Sequence, residues 1–198
     1  MKTDVLEELI SMISKLPGLG PRSARRIVLH LVKKPQLLML PLAAQLESVA
    51  NSIKTCEICN NVDVASPCAI CTSTSRDGSV VCVVETISDL WALERGKLFN
   101  GKYHILGGTL SAIAGRSPET LSIEQLKARV GEGTVSEVIV ATNATLEGQT
   151  TGYYIVEMLS EFQVKITRLA SGIPIGAELD YIDDGTINLA LKMRQKFS

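Results

Sequence analysis

Four cysteines set as two pairs, Cys56-x2-Cys59 and Cys68-x2-Cys71, occupy sixteen consecutive residues in a stretch with too few apolar side chains to fold by itself. Such a stretch needs another source of folding energy. Each C-x2-C turn can place two sulfurs on one side of an ion, about 2.3 Å from it, and two turns complete a tetrahedron. With all four positions filled, none is left for water, so the spacing predicts one structural Zn2+ per chain rather than a Lewis acid. The competing reading is a pair of redox CxxC motifs or free surface thiols, but redox motifs seldom come as adjacent pairs. Cys82 falls inside the apolar run Val80 to Val84 and is expected as a small buried residue.

The remaining chain has material for real cores: 198 residues, 45% of them apolar, which excludes disorder and fibre. Basic and acidic residues nearly cancel, 20 against 21, so any polyanion must be gripped by a local patch and not by an overall positive field. Aromatics are only 4%, which argues against a surface that stacks single-stranded bases on exposed rings. The opening residues MKTDVLEELISM lack the basic start and apolar stretch of an export signal, and no apolar run approaches a membrane span. The expectation is a soluble, cytoplasmic protein with no membrane partner.

Hydrophobic periodicity divides the chain into a helical part, the cysteine module and an α/β part. Val5, Leu9, Met12, Ile13 and Leu16 predict an amphipathic helix from Asp4 to Leu16, stopped by Pro17-Gly18. A second helix begins with Pro21 in its first turn, buries Ala24, Ile27, Val28 and Leu31, and ends at Lys33-Lys34-Pro35. A third, from about Pro41 to Ile53, carries Leu42, Leu46, Val49, Ala50 and Ile53 on one side. From Ser79 onward, apolar runs at Val80–Val84, Tyr103–Leu106, Val138–Ala141 and Val164–Leu169 alternate with helical patterns at Thr86–Arg95, Ser122–Val130 and Glu147–Phe162. That rhythm reads as a mostly parallel sheet with helices on both faces. A strand at Leu179–Ile182 and a helix at Thr186–Phe197 are expected at the end. The predicted divisions are 1–54, 55–77, 78–172 and 173–198.

Between the first two helices, Leu16-Pro17-Gly18-Leu19-Gly20-Pro21-Arg22-Ser23-Ala24 forms a glycine turn that leaves the amides of the second helix start open to an anion. From Lys15 to Lys34 there are six basic residues and His30 but no acid. This is the local patch that the charge balance requires. The turn resembles the helix-hairpin-helix motif of proteins that bind DNA through its phosphates, without reading sequence. The expected DNA-binding residues are Gly18, Gly20, Arg22, Arg25, Arg26, Lys33 and Lys34. The other reading is a simple helix-breaking turn with arginines on a solvated face.

Glu85 follows the first apolar run of the α/β part, at a strand end where open sheets form their sites. With Asp89 and Glu147 it could hold Mg2+ or face a partner protein. Alternatively, Thr86-x-x-Asp89 is a helix-capping pattern. The arrangement resembles the Toprim domain of topoisomerases, primases and some nucleases. The Asp-x-Asp pair those enzymes carry is missing, because Ala141-Thr142-Asn143-Ala144-Thr145 has no acid before Glu147. His30 and His104 are isolated and expected to be structural.

Taken in order, helix-hairpin-helix, four-cysteine module and Toprim-like sheet resemble the bacterial RecR family of recombination mediators over essentially the whole chain. The matching stretches are Leu16–Arg26, Cys56–Cys71, Val83–Asp89, Ala141–Gly148 and Ala170–Gly176 leading to Glu178-Leu179. The resemblance implies a non-catalytic protein of DNA repair that acts with RecO and RecF to help load RecA onto single-stranded DNA. It also implies a dimer or tetrameric ring, joined through the N-terminal helices and the C-terminal segment, that can encircle DNA. The runner-up is an Mg2+-dependent Toprim-type nuclease or primase using Glu85, Asp89 and Glu147. Departures from the family pattern are the missing proline and aspartate in the loop Gly107–Gly115, Ala144 in place of a proline, and Gln149 in place of an acid.

Overall fold

The computed structural model describes residues 5–97, 99–170 and 172–194. Two compact units meet in sequence between Ile53 and Lys54.

In the first unit α1 (Val5–Ser14) packs on α2 (Pro21–Val32). Ala24 and Val28 are fully buried and Ile27 and Leu31 half-buried, the face expected for α2. Of the α1 stripe, Leu9 and Ile13 are half-buried together with Ile10, whereas Val5, Met12 and Leu16 stay exposed. As expected, α2 ends at Lys33-Lys34, where the helical path bends by 107°. A π-helical turn (Pro35–Met39) then leads directly into α3 (Leu40–Ser52). None of α3 is buried, and the predicted apolar side shows Leu42, Leu46, Val49 and Ile53 to solvent.

The second unit opens with the cysteine module: a two-stranded antiparallel ribbon, β1 (Lys54–Thr55) and β2 (Val62–Asp63), and a single helical turn, α4 (Ala69–Thr72). The sheet follows, all parallel, with order β4-β3-β5-β6. Its strands are β3 (Asp77–Val84), β4 (Gly101–Ile105), β5 (Glu137–Val140) and β6 (Lys165–Arg168). Successive residues of a strand point to opposite faces, and both faces of this sheet are covered, so β3 reads from Val80 to Val84 as an unbroken apolar run. Val81 and Val83 join Val138 and Val140 under α6 (Ile123–Gly131) and α7 (Leu146–Leu159). Cys82 and Val84 join Tyr103 and Ile105 under α5 (Ile87–Arg95). Burial pushes the Cys82 thiol up to about 12, as befits a packing residue.

The strand expected at Leu179–Ile182 is instead a 3-10 turn, Leu179–Tyr181. Its amides bond locally, Tyr181 to the Glu178 carbonyl and Ile182 to that of Leu179, because no neighbouring strand offers partners among the described residues. The last helix, α8 (Asp184–Lys192), starts two residues before its expected position because Asp183 caps it, accepting from the Thr186 amide at 2.9 Å. Residues 195–197 of the expected helix lie outside the described residues.

One polar network ties the elements on the α5 side. Arg76 donates to both oxygens of Glu94 at 3.0 and 2.5 Å, and the Tyr103 hydroxyl donates to Glu94 at 2.8 Å. Burial pushes the Glu94 carboxyl up, but the Arg76 and Tyr103 hydrogen bonds outweigh it and hold it below its ordinary value. A depressed carboxyl contributes stability that is present above its unfolded pKa and lost as pH falls through the folded one. Glu94→Gln is therefore expected to lose about 1–3 kcal/mol at neutral pH. Urea midpoints of the two proteins should converge as pH drops below the ordinary glutamate value of 4.5; a gap that stays constant with pH would contradict this role.

Candidate zinc centre and nucleic-acid interface

The four cysteine sulfurs all lie within 4.8 Å of one another. Sγ of Cys56 is 3.9 Å from that of Cys71, and Cys59 and Cys68 are 3.6 Å apart. A tetrahedron with about 2.3 Å metal–sulfur bonds has edges of about 3.8 Å, so the donor set fits Zn2+. Protonation tells the same story. Burial raises the Cys56 thiol, but amides of Cys68, Ile58 and Cys59 outweigh it and bring it down to about 7. Hydrogen bonding with Cys71 and burial push Cys59 far up. Four thiolates cannot share this space without a cation to neutralise them. When bound, zinc would cross-link the β1–β2 ribbon to α4 and leave no open coordination position.

The protein frames these ligands closely. The Cys68 amide points at Cys56 Sγ at 3.3 Å, and Asp63 accepts from the Val64 and Ala69 amides, fixing the turn into α4. The module then docks on the edge of the sheet. Ile105 donates its amide to the Cys59 carbonyl at 2.9 Å, and Asn60 donates to the Ile105 carbonyl and to Gln125. Gln125 in turn donates to the Glu57 carbonyl. Lys102, buried in β4, spends its ammonium on the carbonyls of Ile70, Cys71 and Ser73 at 2.6–3.1 Å, closing the C-terminal end of α4. Sequence reading missed Lys102 and Gln125, since nothing in their local pattern announces a distant carbonyl partner.

At the helical hairpin, Gly18 adopts φ +78°, a conformation that glycine accepts readily, and Gly20 is the N-cap of α2. Gly20 has no side chain to cap the helix, Pro21 has no amide hydrogen, and the first internal bond runs from Ala24 to the Gly20 carbonyl. The amides of Arg22 and Ser23 thus face outward without an intrahelical acceptor. Arg22, Arg25, Arg26, Lys33 and Lys34 are all exposed. Spacing of four, three and four places Arg22, Arg26, Leu29 and Lys33 on one face, opposite buried Ala24 and Val28. Arg25 leans to the side and pairs loosely with Glu7 at 3.6 Å. His30 is exposed.

Glu85, Asp89 and Glu147 are not brought together. Among the described residues, the cysteines form the only group of three or more such ligands within 4.8 Å. Glu85 is buried after β3 and accepts from the Asn143 amide and side chain at 2.6 and 2.7 Å. A Cβ on Gly148 would overlap Glu85 and the Asn143 carbonyl, so only glycine lets α7 approach so closely. Asp89 closes the capping box with Thr86, accepting from its amide at 2.8 Å. Glu147 accepts from Ser111 at 2.5 Å and from Thr109, and lies 3.9 Å from Arg116, clamping the short Ser111–Arg116 hairpin. The capping alternative thus holds for Asp89; the partners of Glu85 and Glu147 are visible only in three dimensions. His104 is structural. Its Nε2 lies 2.8 Å from the Ser122 carbonyl, and burial pushes it down to about 4.

Family models match consecutive parts of the chain: the RecR helix-hairpin-helix over 6–50, the RecR four-cysteine zinc finger domain over 53–73, the Toprim domain over 79–170 and the RecR C-terminal region over 172–195. "Recombination protein RecR" of Mesorhizobium japonicum is 53% identical over 192 residues, 97% of this chain and 96% of its own. That of Rhizorhabdus wittichii is 50% identical over the full length of both chains, and that of Sphingopyxis alaskensis 51% over 98% of each. The chain belongs to the RecR family. RecR proteins are recombination proteins, and the four-cysteine module of this member is compatible with one structural zinc ion. Among the described residues no single helix is long and apolar enough to cross a membrane.

Metal analysis is expected to give one zinc per chain. Chelation, or Cys68→Ala, should lower the melting temperature and speed hydrogen exchange at the Ile105 amide, which bonds across the junction to Cys59. An apoprotein with unchanged melting and exchange would show that zinc is dispensable.

Proposed function

We propose that this RecR-family chain is a non-catalytic, DNA-binding recombination mediator of DNA repair that acts with RecO and RecF to help load RecA onto single-stranded DNA. The observation that carries the DNA part is the acid-free face of α2: Arg22, Arg26 and Lys33 in line, above two amides left open at a glycine N-cap. Such a face suits phosphates and carries no base code. We assign the contacts to Gly18, Gly20, Arg22, Arg25, Arg26, Lys33 and Lys34. The zinc module, placed at 55–77 between the helical region 1–54 and the Toprim-like region 78–172, is a structural element of this design, and 173–198 serves assembly.

Assembly as a dimer or tetrameric ring is part of the same reading. The chain as a whole is nearly neutral and holds a polyanion weakly. Several α2 patches around one axis would raise the local concentration of binding groups without raising net charge. The exposed apolar residues of α1 and α3, Val5, Met12, Leu42, Leu46 and Val49 among them, supply the self-association surface that the ring requires. A nuclease or primase reading is less well supported, because Glu85, Asp89 and Glu147 are each engaged with separate protein partners. Of the three, Glu147 is the one exposed enough to meet a partner protein in a reducing cytoplasm, whereas Glu85 is buried on Asn143.

Duplex binding should weaken equally for all sequences in Arg22→Glu/Arg26→Glu, with the slope of log affinity against log salt falling by about 0.9 for each phosphate no longer gripped. Solution mass should report a dimer or tetramer. An unchanged slope, or a monomer at every concentration, sinks the clamp. DNA cleavage by pure protein with Mg2+, abolished by Glu85→Ala, would favour the enzyme instead.

A further inference from the structure

The outer face of α5 belongs to none of the sites described above. Its inner residues are spoken for: Leu90 is buried in the sheet, Ile87 and Leu93 pack beside it, Asp89 closes the capping box, and Glu94 is held by Arg76 and Tyr103. What remains outward is Ser88, Trp91, Ala92 and Arg95, which helical spacing gathers on one side. Trp91 is the only tryptophan in the chain and is 62% exposed. An indole of that exposure forgoes the burial that usually stabilises it.

Charge decides what would cover the ring. Arg95 is one helical turn from Trp91, exposed, and without an ion pair among the described residues; Lys97 is exposed just beyond the helix end. Both acids of α5 are turned into internal hydrogen bonds, so the charge that this helix shows on its outward side is that of Arg95, with Lys97 following near Glu94. A flat ring flanked by cations matches a nucleobase flanked by phosphates, and a π-face accepts any base. The low aromatic content argues against a platform of many rings; of the few that are exposed, Tyr153 and Tyr181 lie on other elements and Trp91 alone stands on α5.

We propose that Trp91, with Arg95 and Lys97, is a single-strand nucleic-acid contact in which one base stacks on the indole while the two cations meet the adjoining phosphates. This contact is separate from the α2 face and does not depend on it. Duplex DNA, whose bases are already stacked, is not its ligand.

A lone tryptophan makes the test direct. Titrating the intact zinc-loaded protein with oligothymidylate should quench its fluorescence, and the same length of abasic deoxyribose-phosphate chain should quench it far less. Trp91→Ala should weaken oligothymidylate binding, measured by anisotropy, by about fivefold or more, bring it down to the abasic level, and leave duplex affinity and solution mass unchanged. Trp91→Phe should retain most of the affinity. Arg95→Gln should lower the single-strand salt slope by about 0.7. In Arg22→Glu/Arg26→Glu the preference for bases over abasic chain should persist, so a failure of the α2 reading leaves this one standing. Three results overturn it: oligothymidylate binding without quenching, equal affinity of Trp91→Ala and the parent, or a change of solution mass in Trp91→Ala, which would place the indole between copies of the chain.

Discussion

The tetrahedron of sulfurs is the constraint on which the second unit turns. Without it, the stretch from Cys56 to Cys71 has no core, since its buried apolar residues are the ligands themselves. With it, a module of about twenty residues becomes rigid enough to cover the β4 edge of the sheet, through the Ile105–Cys59 bond and the Asn60 and Gln125 links. Open edges invite unwanted strand pairing, and natural sheets cover them. Lys102 completes the joint from the opposite direction, reaching out of β4 to the carbonyls at the end of α4. Metal site and sheet edge are therefore one structural element, although the first is legible as a motif and the second is not.

Legibility followed the range of the forces involved. Periodic burial is local, so the positions of α2, α5, α6 and α7 and the four parallel strands could be read within a few residues from runs such as Val80–Val84. The cysteine spacing was equally plain. Leu179–Ile182 misled because a strand needs a neighbour: four apolar-leaning residues satisfy the pattern, but no partner strand lies beside them among the described residues. The stripes of α1 and α3 were correctly seen as apolar, and much of that surface is exposed in the single chain. Periodicity marks a face that wants a partner without saying which chain provides it.

The acids show the same limit at the scale of a site. Glu85, Asp89 and Glu147 all follow strand ends of the sheet in sequence, yet each is satisfied by a different neighbour: Asn143, Thr86 and Ser111. Only the Thr86–Asp89 box is legible in sequence, because its partners are three positions apart. Asn143 lies 58 residues from Glu85, and its amide and side chain grip both carboxylate oxygens. That pairing makes the acid a brace between the ends of β3 and β5, at the point where strand order reverses.

The bare apolar side of α3 has a thermodynamic corollary. A helix none of whose residues is buried within its own chain gains little from tertiary packing, and helices of its length are marginal alone in water. On the proposed assembly, a second copy supplies the missing burial, so dilution would act on the first unit as a denaturant does. Fraying of α3 would then begin at concentrations where neither heat nor urea had yet loosened the zinc-braced sheet.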